Sequence, residues 1–125
     1  MQQQYRGEEI DTFEVNVPGP LRDIPIVVLI NQSTASAAEI IAGSLQNHNR
    51  GLLIGEPTFG KDTIQLVFDL QDDSSLHVTA AKWWIPRITP AIGEDGLQPD
   101  IHVSASDTNS DLVMKIAIQS LLEQP

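Results

Sequence analysis

A serine followed twenty-five positions later by a lysine is the feature of this chain with most chemical interest. Ser36 lies in a run of small residues after a strongly apolar segment, and Lys61 follows Phe59 and Gly60. A hydroxyl becomes a nucleophile when a neighbouring base removes its proton, and an uncharged amine can be that base. These residue types predict acyl transfer by a serine nucleophile with a lysine base.

The same serine has a purely structural interpretation. Ser36 and Glu39 match the S-x-x-E capping box, in which the two side chains satisfy free amides at the start of a helix. Alternatively Ser33 or Thr34 caps the helix and leaves Ser36 free, beside amides that favour a developing oxyanion. The small residues at positions 35, 37 and 38 would let a substrate backbone approach. The sequence leaves both interpretations open.

Lys61 also has two interpretations. A lysine base must be uncharged, which requires an apolar cleft that disfavours the ammonium form; Phe59 and Ile64 are candidates for its walls. Gln65 would hold the amine by a hydrogen bond if the chain bends at residues 60–62. Without that bend, Lys61 is a solvated loop residue and Gln65 belongs to the polar face of a strand.

Composition argues against several other kinds of site. The absence of cysteine excludes disulfides, thiolate zinc sites and cysteine nucleophiles. With 17 acidic and 7 basic residues and a net charge of −10, nucleic acid and anionic membranes are not expected as partners. No group of His, Asp and Glu has metal-ligand spacing, so we expect no metal and no cofactor. We expect the histidines to be surface or packing residues: His48, His77 and His102.

Length and the apolar segments limit the class of protein. A chain of 125 residues fits one domain or part of one. Residues 1–6 have no apolar run after the basic residue, so we expect no signal peptide in this chain. The apolar segment at 24–30 is far too short to span a membrane, and we expect no membrane-spanning segment.

Hydrophobic periodicity predicts the elements that position Ser36. Residues 1–9 are polar and are expected to be loose, and alternation over 12–17 predicts a half-buried strand. The nearly all-apolar segment at 24–30 predicts a strand covered on both faces, as in a parallel sheet. Residues 35–47 predict a helix. Its inner face is expected to carry Ile40, Ile41, Ser44 and Leu45.

The second half predicts the elements that position Lys61. The sequence predicts a short buried strand at 52–54, followed by a loop over 55–60. Clean alternation over 63–70 and again over 76–84, with a polar turn between them, predicts a β-hairpin. Strand, helix, strand and antiparallel hairpin together indicate the α/β class with a mixed sheet.

The remaining residues predict a loop at 86–99, a polar linker at 107–111 and a terminal amphipathic helix at 112–122. Ser110 or Asp111 is the expected cap of that helix.

Taken together, these motifs resemble the C-terminal processing, or tail-specific, serine peptidases. The resemblance covers about residues 24–103, and the order and spacing of its motifs are more specific than any one of them. In that family a glutamine follows four positions after the lysine, as Gln65 follows Lys61 here. The resemblance implies that Ser36 is the nucleophile, Lys61 the general base and Gln65 the residue that orients the lysine. It also implies that the Ala37 amide is an oxyanion donor. The matching segments are residues 25–31, 34–40 and 55–61, Gln65 and residues 96–100.

The resemblance also implies a fold and a setting. The fold would be crotonase-like, a mixed sheet flanked by helices, with residues 1–106 an incomplete catalytic core and 107–125 a linker and helix. Substrates would be proteins or peptides with apolar C-terminal tails, and processing would take place outside the cytoplasm. A homo-oligomer is possible under this resemblance. The family's PDZ domain and upstream glycine-rich turn are not visible, so activity is expected of a complete catalytic domain. The sequence of the loop at 87–93 differs from the one that is usual in the family.

Two other functions compete with a peptidase. A non-catalytic module of the same fold would bind a peptide or a hydrophobic ligand, with Trp83 and Trp84 lining a groove. The loop from Gly55 to Lys61 also matches the phosphate-binding G-x-x-x-x-G-K pattern. However, Asp62 replaces the expected Ser or Thr, and a strand rather than a helix follows, so nucleotide binding ranks last.

Overall fold

The computed structural model describes residues 1–17, 19–88, 92–93, 95–104 and 110–123. Within those ranges it contains seven strands and two helices. In chain order they are β1 Gln2–Tyr5, β2 Asp11–Thr12, β3 Val27–Ile30, α1 Ala37–Asn47, β4 Leu52–Gly55, β5 Thr63–Asp69, β6 Ser75–Trp84, β7 Ile101–His102 and α2 Ser110–Leu122. This mixed α/β architecture confirms the predicted fold class.

The parallel sheet has the strand order β3-β4-β7. Leu53 packs into a core cluster on one face, and Ile54, the next residue of β4, packs into a second cluster on the other face, beside α2. The prediction of a parallel strand at 24–30 is therefore confirmed for Val27–Ile30, but its full burial is not, because only Ile30 is buried. Leu29 remains 43% exposed, because β3 lies at the edge of this sheet.

Helix α1 begins at Ala37, two residues later than predicted, and its predicted inner face is only partly correct, because Ile40 packs against the core cluster. Glu39, Ala42 and Gly43 are buried, whereas Ile41 is 64% exposed. A Cβ at Gly43 would lie 2.4 Å from the end of the Ile85 side chain, so any larger residue there would displace Ile85. A hydrophobicity pattern gives too little weight to a glycine and a glutamate, so it wrongly assigned Ile41 to the core.

The antiparallel sheet has the order β2-β1-β6-β5, and β5 with β6 confirms the predicted hairpin. The prediction that residues 1–9 are loose is wrong, because β1 pairs with β6 from Gln2↔Trp84 to Tyr5↔Ala81. Backbone pairing requires no apolar side chains, and the Trp84 indole also donates to Gln2 Oε1 at 2.9 Å. A polar strand of this kind escapes a search for hydrophobic periodicity.

The predicted strand at 12–17 is also wrong. Only Asp11–Thr12 forms a strand, and Phe13, Val15 and Val17 are exposed, Val15 to 88%. Their alternation suggested one buried face, but no layer of the described chain covers them.

The core lies beneath the two loops that carry Ser36 and Lys61. Trp83 is 2% exposed and joins Leu53 of the parallel sheet with Ala42 of α1, so both sheets and the helix share one cluster. Trp84 is half-buried at the edge. This core fixes the relative placement of the first helix and the hairpin. Its buried members are Ile30, Ala42, Leu53, Trp83, Ile85, Ile92 and Leu97.

The C-terminal region agrees with the sequence in part, since the short strand β7 at Ile101–His102 was not predicted. Helix α2 confirms the predicted helix and begins at Ser110, two residues earlier than expected. Residues 107–109 of the predicted linker, and 89–91 and 94 of the predicted loop, lie outside the described residues. None of the helices in the described ranges has the length and apolar character needed to cross a bilayer.

The tip of the hairpin offers a test of the local structure. Asp72 Oδ1 accepts hydrogen bonds from the Ser74 hydroxyl at 2.6 Å and the Ser74 amide at 3.2 Å. These bonds, the hydroxyl first, hold the pKa of Asp72 below its ordinary value, because they favour the ionised carboxylate. The turn is therefore stabilised above the unfolded-state pKa, and this contribution is lost as the pH falls through the lowered folded-state pKa.

We predict that Ser74→Ala raises the pKa of Asp72, because the stronger of the two donors is removed. The side-chain carboxyl shift of Asp72, followed by NMR during an acid titration, measures this directly. An unchanged pKa would show that the hydroxyl does not stabilise this turn.

Candidate active site

Ser36 lies in a strained turn between strand and helix. Its backbone has φ 53° and ψ −118°, and a positive φ is uncommon for a residue with a side chain. The chain leaves β3 at Ile30, turns at Asn31, whose carbonyl accepts from the Thr34 amide at 2.8 Å, and enters α1 at Ala37. In a nucleophile elbow, a sharp turn of this kind presents a serine hydroxyl above a sheet. Strain of this kind clusters at active sites, so it supports a functional role for this position.

The capping box of Ser36 and Glu39 is formed, as the structural interpretation expected. One half of the box is the hydrogen bond from the Ser36 amide to Glu39 Oε2, at 2.8 Å. In the other half, the Ser36 side chain faces the Glu39 amide without making a cap hydrogen bond. The two interpretations of Ser36 are therefore compatible, because the backbone caps the helix while the hydroxyl is not held by a cap bond.

Glu39 also reaches across to the loop that carries Lys61. Its carboxylate accepts hydrogen bonds from the Thr58 hydroxyl at 2.5 Å, the Gly60 amide at 2.7 Å and the Lys61 amide at 2.9 Å. Sequence reasoning treated Glu39 as a cap and missed this role. The sequence did contain a signal for this role, because Glu39 lies on a helix face of small residues. A carboxylate can be buried on such a face only where hydrogen-bond donors surround it.

The Lys61 loop packs against the segment around Gly96. Thr58 donates its amide to the Leu97 carbonyl at 3.1 Å, and its hydroxyl accepts from the Leu97 amide at 2.7 Å. Gly60 has φ +86°, and a Cβ there would lie 1.8 Å from the Gly93 carbonyl oxygen. Glycine is therefore required at position 60 by conformation and by space.

Lys61 and Gln65 are brought together as predicted. Lys61 Nζ donates to Gln65 Oε1 at 3.3 Å. The required bend exists, because Gly60 turns the chain just before β5 and the register with β6 shifts between Ile64 and Gln65. A register shift of this kind re-aims side chains, which explains how a strand residue reaches the lysine.

One cavity of about 390 Å³ contains Ser36, Lys61 and Gln65 in its lining. Within the described residues, Lys61 Nζ bonds to Gln65 and makes no hydrogen bond with the Ser36 hydroxyl. Catalytic hydrogen bonds often tighten only when substrate is bound, so this arrangement is compatible with a serine and its base. The other lining residues are Ala37, Ile40, Thr63, Ile64, Val67, His77 and Trp83.

The structure also shows where Ala37, Phe59 and His77 lie relative to the cavity. Ala37, predicted as a backbone oxyanion donor, borders the cavity, and its amide, at the first position of α1, has no acceptor within the helix. Phe59 is 62% exposed and is not part of the cavity wall, so the expectation for that residue is wrong. His77 was expected to be a surface or packing residue; it is exposed on β6, where it also lines the cavity.

The geometry argues against a phosphate site in the loop from Gly55 to Lys61. A phosphate loop offers free amides to the ligand, whereas the Gly60 and Lys61 amides donate to Glu39. β5 follows the loop directly, where a phosphate-binding loop would open a helix. The described residues also contain no group of His, Asp and Glu arranged to hold a metal ion.

Comparisons with known proteins point in one direction. The family model for peptidase family S41 matches residues 1–103. A carboxyl-terminal-processing protease of a Picosynechococcus species is 51% identical over 81 residues, which are 65% of this chain and 19% of that protein. The chloroplastic C-terminal processing peptidase of Tetradesmus obliquus is 44% identical over 88 residues, which are 70% of this chain and 19% of that protein. The chain thus spans about a fifth of the length of the curated relatives that it matches.

Solved structures give the same result. The photosystem II D1 C-terminal processing protease superimposes with a TM-score of 0.57 at 42% identity, over 74% of this chain and 24% of that one. Mature CPAF superimposes with a TM-score of 0.63 at 22% identity, over 78% of this chain and 20% of that one, which supports the fold alone.

We predict that Gly60→Ala destabilises the protein far more than Gly7→Ala. Both glycines have positive φ, near +85°, but a Cβ at Gly7 meets nothing within 4 Å, so this control isolates the conformational strain. Strain alone costs about 1–2 kcal/mol, and the clash with the Gly93 carbonyl adds to it. Urea unfolding of the two variants measures the difference. Equal losses would contradict the packing of the Lys61 loop against residues 93–97.

Proposed function

The chain belongs to peptidase family S41, and from that premise we propose that it supplies the Ser36, Lys61 and Gln65 centre of a serine endopeptidase. The observation that carries the proposal is the shared cavity, in which a strained serine lies with a lysine that is held by a glutamine. Because the chain spans about a fifth of its curated relatives, the proposed activity is that of the full-length protein.

The proposed reaction is acyl transfer followed by hydrolysis. Ser36 Oγ attacks the scissile carbonyl carbon while the uncharged Lys61 amine takes the hydroxyl proton. When the tetrahedral intermediate collapses, the C–N bond breaks and the lysine gives the proton to the leaving amine. A water molecule then attacks the acyl-enzyme with the same lysine as base, which releases the new C-terminus and restores Ser36.

Gln65 and Ala37 have supporting roles in this proposal. Gln65 Oε1 accepts from Lys61 Nζ and so directs the amine along the cavity. The Ala37 amide donates to the oxyanion, helped by the positive end of the α1 dipole. Loss of one oxyanion donor typically costs about a hundredfold to a thousandfold in rate. We therefore propose that a further donor comes from elsewhere in the full-length protein.

We also propose that the substrates are proteins cut near apolar C-terminal tails. The cavity wall supports this, because Ile40, Ile64 and Val67 are apolar and lie beside Ser36 and Lys61. Apolar side chains of a substrate would gain by burial against them. The acidic composition is compatible with a protein substrate, since it offers no basic patch for a polyanion.

We predict that a fluorophosphonate probe labels Ser36 in the full-length protein, and that Lys61→Ala abolishes the labelling because the hydroxyl has lost its base. Lys82→Ala is the matched control, since that lysine pairs with Asp62 on the surface at 3.3 Å and does not line the cavity. Mass spectrometry of labelled peptides provides the measurement.

Two results would change the interpretation. Labelling that survives Lys61→Ala would remove the lysine from its proposed role. An unaltered protein that is folded, binds peptides and never labels would support the non-catalytic binding module instead.

A further inference from the structure

Glu39 is an acidic side chain buried where charge is costly. It has no exposed surface, although it lies on the first turn of a helix whose neighbour Ile41 is largely exposed. Within the part of the chain that the structure describes, it belongs to no ion pair. A buried carboxylate is tolerated only where hydrogen-bond donors replace water. The donors around Glu39 therefore indicate what it does.

The donors are divided evenly between the two carboxylate oxygens. Oε1 accepts from the Thr58 hydroxyl and the Gly60 amide, at 2.5 and 2.7 Å. Oε2 accepts from the Ser36 amide and the Lys61 amide, at 2.8 and 2.9 Å. The backbones of Ser36 and Lys61 are thus both held within 2.9 Å of one oxygen atom.

We propose that Glu39 is the positioning residue that sets the separation of Ser36 and Lys61. This inference rests on the proposed function and adds to it a group that touches neither the substrate nor the reacting atoms. The segments that carry the two residues are also joined by backbone hydrogen bonds from the Phe59 amide to the Thr34 carbonyl, at 2.9 Å, and from the Glu56 amide to the Ile30 carbonyl, at 3.1 Å. Neither of these bonds involves Ser36 or Lys61. The Glu39 carboxylate accepts hydrogen bonds from the amides of both residues.

The Glu39 carboxylate can accept hydrogen bonds at both oxygens, and here it meets four donors. A glutamine has nearly the same shape, but its NH₂ group would face either the Ser36 and Lys61 amides or the Gly60 amide, donor against donor. An aspartate keeps the charge but is one methylene shorter. Either change should shift the two backbones relative to each other.

The test is the kinetics of fluorophosphonate labelling in the full-length protein carrying Glu39→Gln. Misplacement of reacting groups by about 1 Å can cost about a hundredfold in rate. We therefore expect kinact to fall about a hundredfold while the probe's KI stays nearly unchanged. Ile54→Val is the matched control, because it truncates a fully buried side chain in the cluster beside α2, away from the cavity. It should lower the melting temperature and keep the kinact of the unaltered protein.

Two outcomes would overturn the inference. One is a Glu39→Gln protein that labels at the unaltered rate. The other is a fall in labelling rate that is fully explained by a smaller fraction of folded protein. In either case, labelling that still depends on Ser36 would leave the proposed function intact. If the unaltered protein never labels Ser36, the function itself fails, and the two failures are thereby distinguished.

A second measurement decides the matter if Glu39→Gln does not fold. In the unaltered full-length protein, the amides of Ser36, Gly60 and Lys61 should be strongly protected from hydrogen exchange, although all three lie in turns or loops. Rapid exchange of the Ser36 and Lys61 amides would show that the carboxylate does not hold them, and would overturn the proposal.

Discussion

A single buried carboxylate joins the two halves of the candidate site. Glu39 accepts four hydrogen bonds, from the amides of Ser36, Gly60 and Lys61 and from the Thr58 hydroxyl. Each is a charge-assisted bond, stronger than one between neutral groups, and together they replace the water that the carboxylate loses on burial. The strand-to-helix turn and the glycine loop therefore keep one relative position, and the proposed chemistry of Ser36 and Lys61 depends on it.

The rest of the fold makes this junction possible. The parallel strands β3 and β4 end at the same edge, so the turn before α1 and the loop after Gly55 emerge side by side. Close packing then requires a glycine at position 60, against the Gly93 carbonyl, and Gly43 beneath the helix leaves room for the Ile85 side chain. The hairpin completes the cavity, and its register shift aims Gln65 at the lysine amine. Strain at Ser36 persists because these contacts hold the turn from both sides.

Much of this architecture could be predicted from local patterns. Apolar runs and alternation located the parallel strand, the hairpin and both helices, because those elements bury side chains with a regular period. The pairing of β1 with β6 could not be found in this way, since polar residues such as Gln2 are held by backbone bonds. The residues Ser36, Lys61 and Gln65 were found by type and spacing, and the structure brings them to one cavity. The role of Glu39 was missed because three of its four donors come from residues about twenty positions later, and no local pattern reports such a contact.

A crystal structure of the full-length protein with a phosphonate bound covalently to Ser36 would test the central claim most directly. We expect Lys61 Nζ to lie within hydrogen-bond distance of the Ser36 Oγ atom and still to donate to Gln65 Oε1. We also expect both Glu39 oxygens to keep their amide donors. A lysine amine that points to solvent, away from a phosphonylated Ser36, would contradict the account.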